Sequence, residues 1–253
     1  MFSYLFSTVI YDPLYNSLVF LINHIPYADM GIAVVILTIG VKLILLPLAQ
    51  SAIRSQIMMN AVKPELEEIR ETYKDNKQEQ AQKTMALYKE KRINPFAMIL
   101  PLLIQLPIIF GLYWVFFKGG FPEINADILY SFVSVPDMVN MNFIGFVDMA
   151  GKSIVLAVLA GVTQFIHTRI SFPKFDTKNK EQSFKNDLAR SMQIQMRYVL
   201  PVIIGVISYS ISAAIALYWT TSNIFAILQE IFVRKRMVQS AEIKDGTSDI
   251  AQT

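Results

Sequence analysis

A single lysine lies inside an apolar stretch of the chain. Lys42 belongs to GVKLILLPLAQ, residues 40–50, which ends an apolar run that begins near Met30. A lysine at the centre of a membrane helix costs about 2.5–3.5 kcal/mol on insertion scales. A snorkelling lysine without a function is the simpler interpretation. Because Lys42 lies roughly 10 Å of helix rise from the polar end of its segment, we expect instead a hydrated cavity, open to the cytosol, in which Lys42 attracts anionic groups.

Polar side chains in the other apolar segments could line the same cavity. Hydroxyl and amide groups in membrane helices usually bond a neighbouring helix, so each one alone indicates packing more than a site. Thr38 shares the helix face of Lys42, since it lies one turn earlier. Carboxylates are missing from the apolar centres of these segments, and Asp29 and Glu230 lie at segment ends. The candidate groove residues are Lys42, Thr38, Gln105, Thr163, Gln164, His167, Trp219, Ser222 and Asn223.

Several kinds of chemistry have no residues to support them. The chain contains no cysteine, which excludes disulfides, thiolate zinc sites and cysteine nucleophiles. It contains two histidines, too few for a histidine-built metal site. We find no His-Glu-x-x-His motif, no Gly-x-Ser-x-Gly elbow and no phosphate-binding glycine loop. We therefore predict no catalytic residues, no metal and no cofactor, and we do not expect an enzyme.

The composition is that of a membrane protein. Hydrophobic residues make up 53% of the 253 positions and charged residues only 17%, below the quarter or so that is usual in soluble domains. Apolar runs long enough to be spans cover Met30–Ala49, Phe96–Phe117, Ser153–Thr168 and Tyr198–Val233. The last run would extend roughly 54 Å as one helix, against about 30 Å of hydrocarbon. It is therefore one very long helix or two short helices with a turn near residues 208–212.

The distribution of basic residues chooses between these alternatives. Nine Lys or Arg lie in 51–95, seven in 169–197 and four after Val233, whereas 1–29 has none and 118–152 has two. The positive-inside rule places the three basic regions in the cytosol. A single pass through 198–233 would leave Arg234 to Arg236 outside, and two passes bring them in. We predict five spans, with the N-terminus outside and the C-terminus in the cytosol.

The first 25 residues differ from the spans. Apolar and polar residues alternate there at helical spacing: Leu14, Leu18, Leu21 and Ile25, with Asp12, Asn16 and Asn23 between them. This pattern favours an amphipathic helix that lies on the outer membrane surface. The alternative is a sixth span, which would place the N-terminus inside. No basic region precedes the apolar residues, so we do not expect a signal peptide.

The polar insertion at 51–94 has its own helical pattern. Residues repeat at helical spacing on either side of KDNKQ: the apolar Val62, Leu66, Ile69 and Tyr73 before it, and Ala81, Met85, Tyr88 and Arg92 after it. Two charged amphipathic helices with a polar turn predict an antiparallel hairpin. A solvated connector without a task is the alternative, although 44 residues is long for a connector. Ile57, Met58 and Met59 form an adaptable apolar strip at the root of the hairpin.

The predicted fold is thus an all-α membrane protein with five transmembrane helices around a hydrophilic groove, an outer amphipathic helix and a cytosolic helical hairpin. The predicted segments are an outer helix at 1–28, the first span at 29–50, the cytosolic hairpin at 51–94, the second span at 95–117, an extracytoplasmic loop at 118–151, the third span at 152–169, a cytosolic loop at 170–196, the fourth and fifth spans at 197–210 and 211–233, and a cytosolic tail at 234–253.

Four stretches, in a fixed order along the chain, resemble a known family. After GVKLILLPL come MALYKEKRINPFAMILPLLIQLPIIFGLYWVF, LAGVTQF and ALYWTTSNIFAILQEIF, and together they are similar to the YidC/Oxa/Alb membrane insertases over roughly residues 10–236. The stretch 94–113 is the most specific part. In the family a basic residue of the first core span lies in a groove open to the cytosol and to lipid but closed outside, and Lys42 matches that position. Most bacterial members have arginine there; lysine keeps the charge but loses the bidentate fork.

The sequence departs from the family at two further places. The turn between the last two spans often carries Pro-Ser-Gly in the family, and here it reads SYSISAA. The basic C-terminal extension of ribosome-binding members is absent beyond Met237. These departures concern the turn geometry and ribosome contact, and the resemblance of the core is unaffected.

The resemblance implies a membrane protein insertase and chaperone of the bacterial plasma (inner) membrane. Its partners would be newly made membrane proteins and the lipid bilayer, with the Sec translocon and the ribosome as further candidates, and sequence-specific nucleic-acid binding is not expected. The rival function is a small-anion transporter or channel that uses Lys42, but the two halves of the chain show no internal repeat of the kind that transporters often have. A structural assembly factor without a transport role is a third alternative.

Overall fold

The structure is a computed structural model that describes residues 2–25, 29–98, 100–119, 121–171, 191 and 194–250. These residues are mostly helical, and several of the helices are apolar, as an all-α membrane protein requires. The predicted cytosolic loop at 170–196 falls largely on residues 172–190 and 192–193, which lie outside the described residues. One small β-hairpin, not expected from the sequence, pairs β1 (Asn142–Phe143) with β2 (Val147–Asp148).

Ten α-helices are described here. In chain order they are α1 (Phe2–Phe6), α2 (Asp12–His24), α3 (Met30–Ile44), α4 (Leu46–Ala61), α5 (Lys63–Thr72), α6 (Lys77–Glu90), α7 (Leu100–Lys118), α8 (Ile154–Ser171), α9 (Leu200–Ser210) and α10 (Ala213–Ile250). Wider π-helical turns at Ser7–Tyr11 and Gln195–Val199 lead into α2 and α9. Short 3₁₀ turns lie at Pro95–Met98 and Ala126–Ile128.

By length and apolar composition, two of the described helical stretches could cross a membrane. They are Tyr4–His24 and Ile154–Ser171, and a third candidate is α3 with α4 if the pair counts as one span. The N-terminal stretch therefore meets the requirement of a span as well as that of an interfacial helix. The number of spans and the location of the N-terminus stay predictions.

The first predicted span, at 29–50, is not one continuous helix. The helix ends at Ile44 and resumes at Leu46, with Pro47 in the first turn of α4. Proline has no N–H to donate, and its ring collides with the carbonyl four residues earlier, so a helix cannot pass through it undisturbed. Pro47 therefore explains the break between the two helices, and the bounds of the first span stay a prediction.

The chain forms two compact units. The first unit contains 1–44 and 106–227, and the second contains 45–105 and 228–253. In the first unit α8 packs closely against α9, and the contact depends on small residues. A Cβ at Gly161 would lie 3.2 Å from the carbonyl oxygen of Pro201, and Gly205 is on the opposite side of this contact. Small residues that let two backbones approach are typical of helix pairs in membranes.

The second unit contains the helical hairpin. Helices α5 and α6 are joined by a short turn, and Asn76 caps α6 by accepting from the Glu79 N–H at 3.2 Å. The buried cluster that holds the hairpin to α4 consists of Val62, Leu66, Leu87 and Ile93, with Met58, Met59, Ile69 and Tyr88 packed against it.

The apolar face predicted for the second hairpin helix was partly wrong. Met85 is 56% exposed and Ala81 is exposed, whereas Leu87 is 7% exposed and belongs to the cluster. Met58 and Met59 are likewise half-buried against the cluster, so the strip at the hairpin root is largely used for packing.

The polar residues of α2 do not form a solvent-facing stripe. Asn16 is 2% exposed; its amide donates to the Ile128 carbonyl at 2.9 Å and accepts from the Tyr130 N–H. Asn23 donates to the Ser134 carbonyl. The amides between the apolar positions of α2 therefore bind the segment 119–152, which we call the connecting segment, instead of facing water.

The connecting segment also binds the first residues of α3 and α10. Met30 N–H donates to the Asn140 carbonyl at 2.8 Å, and Ala213 N–H donates to the Gly151 carbonyl at 2.7 Å. Asp29 is 4% exposed and caps α3 by accepting from the Ile32 N–H at 2.7 Å. Its second oxygen accepts from Ile144 N–H at 2.8 Å. Ile144 has a positive φ of 52°, uncommon for a branched residue, so this bond helps hold the hairpin turn.

We expect Asp29→Ala to destabilise the protein. The substitution removes two hydrogen bonds to a buried carboxylate, each of about 1.5–3 kcal/mol, so the loss of unfolding free energy should be about 3 kcal/mol. The exposed Asp137 provides the matched control, because Asp137→Ala removes a charge without a buried contact. Thermal unfolding in one detergent compares them; equal midpoints for both variants would contradict the anchoring role of Asp29.

Candidate functional site

Lys42 lies in the last turn of α3, in the first unit. Its side chain is half-buried, and Thr38 one turn earlier is 1% exposed. Thr38 donates its hydroxyl hydrogen to the Val34 carbonyl at 2.6 Å, the bond that membrane-helix threonines often make with the preceding turn. The hydroxyl hydrogen of Thr38 is therefore already donated within α3, one turn before Lys42.

One hydrogen bond between two of the candidate residues joins α8 to α10. Asn223 is 5% exposed and donates to the Thr163 hydroxyl oxygen at 3.3 Å. Thr163 in turn donates to the Leu159 carbonyl at 2.7 Å. These two residues, predicted to line a groove, hold two helices together through a polar contact inside the first unit.

The remaining candidates in the first unit vary in burial. Gln164 is half-buried and donates to the Thr168 hydroxyl oxygen at 3.3 Å. His167 and Trp219 are half-buried, and Ser222 is 5% exposed. The half-buried side chains keep part of their surface available, whereas Ser222 is buried.

Gln105 belongs to the second unit, in which it is half-buried on α7. The polar candidates thus divide into two kinds. Thr38, Thr163, Ser222 and Asn223 are buried, and Lys42, Gln105, Gln164, His167 and Trp219 are half-buried. Sequence alone could not separate the two kinds, because the residue type does not show whether a hydroxyl or amide is buried against a neighbouring helix or is partly exposed.

The charge environment of α3 is asymmetric. Within the described part of the first unit, Asp29 is the buried carboxylate, and both of its oxygens already accept backbone N–H groups at the first turn of α3. Lys42 lies 13 residues later, or about 20 Å along the helix. The positive charge is therefore at the end of α3 that is far from the hydrogen-bonded connecting segment.

Sequence reasoning did not single out two polar groups that the structure buries. Glu230 is 1% exposed and accepts from Arg234 at 2.6 Å, although the sequence placed it only at a span end. The spacing of four residues on one helix was the available signal for this pair. Thr168, which is 2% exposed, binds Gln164 one turn earlier in the same way.

Comparison with known proteins extends the resemblance over most of the chain. The family model described as 60Kd inner membrane protein matches residues 21–240. The chain is 34% identical over 221 residues to the membrane protein insertase YidC of Clostridium tetani, which covers 87% of this chain and 89% of that protein.

Two further relatives carry the same name. The membrane protein insertase YidC of Fusobacterium nucleatum is 34% identical over 229 residues, 90% of this chain and 98% of that protein. That of Oceanobacillus iheyensis is 31% identical over 212 residues, 82% of this chain and 75% of that protein. The chain therefore belongs to the 60Kd inner membrane protein family, the YidC/Oxa/Alb family that its motifs resemble.

Proposed function

We propose that this protein is a membrane protein insertase, which moves newly made membrane proteins into the lipid bilayer. The observation that carries the proposal is the match, over nearly its whole length, to relatives named as membrane protein insertases. The half-buried Lys42 supports it, because the family places a basic residue of the groove at this position. Clients and the bilayer are then the partners that the activity needs.

The proposed mechanism uses a polar groove in place of covalent chemistry. Lys42 attracts acidic groups on the polar tail of a client, with Gln164, His167 and Trp219 as further contacts. The buried amides and hydroxyls, such as Asn223 with Thr163, hold the helices in position. The apolar span of the client moves into lipid while its polar tail crosses a short hydrated distance.

The outer end of the groove would be closed by the connecting segment. That segment accepts or donates hydrogen bonds at the first turns of α3 and α10 and along α2, so its backbone is occupied by protein contacts. Lys42 lies about 20 Å along α3 from that end. Lys42 near one end of α3, and the hydrogen-bonded backbone of the connecting segment at the other end, are consistent with a groove that opens on the cytosolic side.

Reconstitution in liposomes tests the proposal. We expect the purified full chain to integrate a small single-span client with one polar tail while the liposomes stay impermeable to small anions. Anion flux without client integration would favour a transporter or channel instead. Protein-free liposomes and liposomes with an unrelated helical membrane protein control for spontaneous insertion.

The topology proposed with this function is five spans, with the N-terminus outside. It makes a direct prediction, because the chain has no cysteine and single cysteines can be introduced without background. Asn125→Cys should react with an impermeant thiol reagent from outside, whereas Asn76→Cys and Ser240→Cys should react only after the membrane is opened. Labelling of position 240 from outside would mean that 198–233 crosses once, and the topology would be wrong.

A further inference from the structure

A cationic cavity lies in the second unit, between α4 and the C-terminal half of α10. Its volume is about 450 Å³, and it is lined by Gln50, Arg54, Phe232, Val233, Arg236 and Met237. This volume falls in the range of roughly 300–1,000 Å³ that small-molecule sites occupy. None of these residues is a groove candidate, and none lies in the hairpin helices α5 and α6.

One hydrogen bond joins α4 and α10 just before the residues that line the cavity. Gln229 on α10 donates to the Leu46 carbonyl at the start of α4, at 3.3 Å. One turn further along each helix lie Gln50 and Val233, and a second turn brings Arg54 and Met237. The cavity therefore occupies the two turns that follow this contact.

The polar groups that line the cavity suit a phosphate. Arg54 is exposed, and the Arg236 guanidinium lies 4.4 Å from the centre of the Phe232 ring, which orients it. Two guanidinium groups offer forked donors that match phosphate oxygens, and the Gln50 amide adds a neutral donor. The described lining includes no carboxylate, and nearby Glu230 is already bonded to Arg234 at 2.6 Å.

The position of the cavity along α10 indicates a lipid instead of a soluble anion. Just before it, Leu228 and Ile231 are 62% and 52% exposed, as side chains in contact with acyl chains would be. Along the cavity itself, the helix becomes basic at 234–236. An apolar-to-basic transition of this kind marks the headgroup level of the cytoplasmic leaflet, where anionic lipids lie.

We propose that this cavity binds the headgroup phosphate of an anionic phospholipid. The two arginines hold the phosphate, and the apolar wall of Phe232, Val233 and Met237 covers the glycerol and the first methylenes. An acidic peptide would use the arginines but would have no use for an apolar wall that continues toward the lipid-facing side of α10. The proposal is independent of how clients are inserted.

The test uses the full chain in phosphatidylcholine vesicles with a trace of spin-labelled phosphatidylglycerol or, in parallel, spin-labelled phosphatidylcholine. The fraction of motionally restricted label gives the preference for the anionic lipid. It is measured at about 1 M salt, where the screening length is about 3 Å and long-range attraction is suppressed. We expect the preference to persist there and to fall roughly fivefold for each of Arg54→Gln and Arg236→Gln.

Lys235→Gln is the matched control, because Lys235 is an exposed cation beside Arg236 that does not line the cavity. It should leave the preference unchanged at high salt. If Lys235→Gln lowers the preference for the anionic lipid equally, or if no preference remains at high salt, general surface charge explains the effect and the proposed site is wrong. Displacement of the labelled lipid by millimolar inorganic phosphate would assign the site to a free anion, and displacement by an acidic peptide alone would assign it to protein. Far-UV circular dichroism confirms that the variants are folded.

Discussion

Lys42→Ala is expected to lower the insertion of a client with an acidic tail by about tenfold. An ionic hydrogen bond to a carboxylate contributes about 1.5–3 kcal/mol, and each 1.4 kcal/mol is about a factor of ten. A client whose tail carboxylates are neutralised should be affected much less. The measurement is insertion yield for the two clients in liposomes that contain matched amounts of protein.

Two further variants separate charge from shape at this position. Lys42→Arg should retain most of the activity, because it keeps the charge and adds a forked donor. Lys42→Glu should be worse than alanine for acidic tails, since attraction becomes repulsion in a site less polar than bulk water. If Lys42→Ala slows both clients equally, or Lys42→Glu inserts acidic tails normally, hydration of the groove and not its charge would explain insertion.

The second large effect is expected from the helical hairpin, which we propose receives clients. Replacing 62–92 by a short Gly/Ser linker should abolish most client insertion and leave a protein that still integrates into the membrane. The hairpin packs on α4 through one small cluster, with Val62, Leu66 and Leu87 at its centre, so its removal uncovers only a few apolar side chains such as Met58 and Met59. Insertion yield and carbonate-resistant membrane association are measured in parallel.

A surface variant of the intact hairpin serves as control. Lys91 and Glu65 form an exposed ion pair at 3.3 Å between the two helices, and such pairs contribute about 0–1 kcal/mol. Glu65→Ala should therefore insert clients almost normally. Degradation or failed integration of the deletion variant would make the hairpin structural, and the assignment of a client-binding role would be wrong.

Features encoded by local pattern could be predicted from the sequence. The two hairpin helices follow from amphipathic spacing on either side of KDNKQ, and the structure ends α5 and begins α6 there. The end of α9 at Ser210 and the start of α10 at Ala213 fall beside the interval where a turn was expected. Such features depend on residues a few positions apart, which periodicity detects.

Features that depend on distant partners could not be predicted. Asn16 looked like part of a polar helix face, but its partners at Ile128 and Tyr130 are more than 110 residues away. Among the groove candidates, the bond between Asn223 and Thr163 joins two helices 60 residues apart. Neither pairing leaves a signal in one sequence, so polar side chains that bond a neighbouring helix could not be told apart from those that stay half-exposed.

The break after Ile44 was not predicted, although Pro47 is visible in the sequence. Two sequence signals conflict at this position. An apolar run of about 20 residues favours an unbroken span, whereas one proline in the run favours an end or a kink of the helix. The hairpin face was misread for a similar reason. A spacing that includes Met85 and one that includes Leu87 are both helical, and only packing decides between them.

The early end of α3 has a consequence for the surrounding bilayer. A helix of 15 residues rises about 22 Å, and the 18 residues of α8 rise about 27 Å, whereas the hydrocarbon layer is about 30 Å thick. Helices shorter than this layer create a hydrophobic mismatch, which lipids relieve by compressing their acyl chains. Compressed lipid beside the protein shortens the apolar path that separates the two aqueous phases. If α3 crosses the bilayer as one short helix, we expect the proline that ends it to thin the membrane at the place where polar segments would cross.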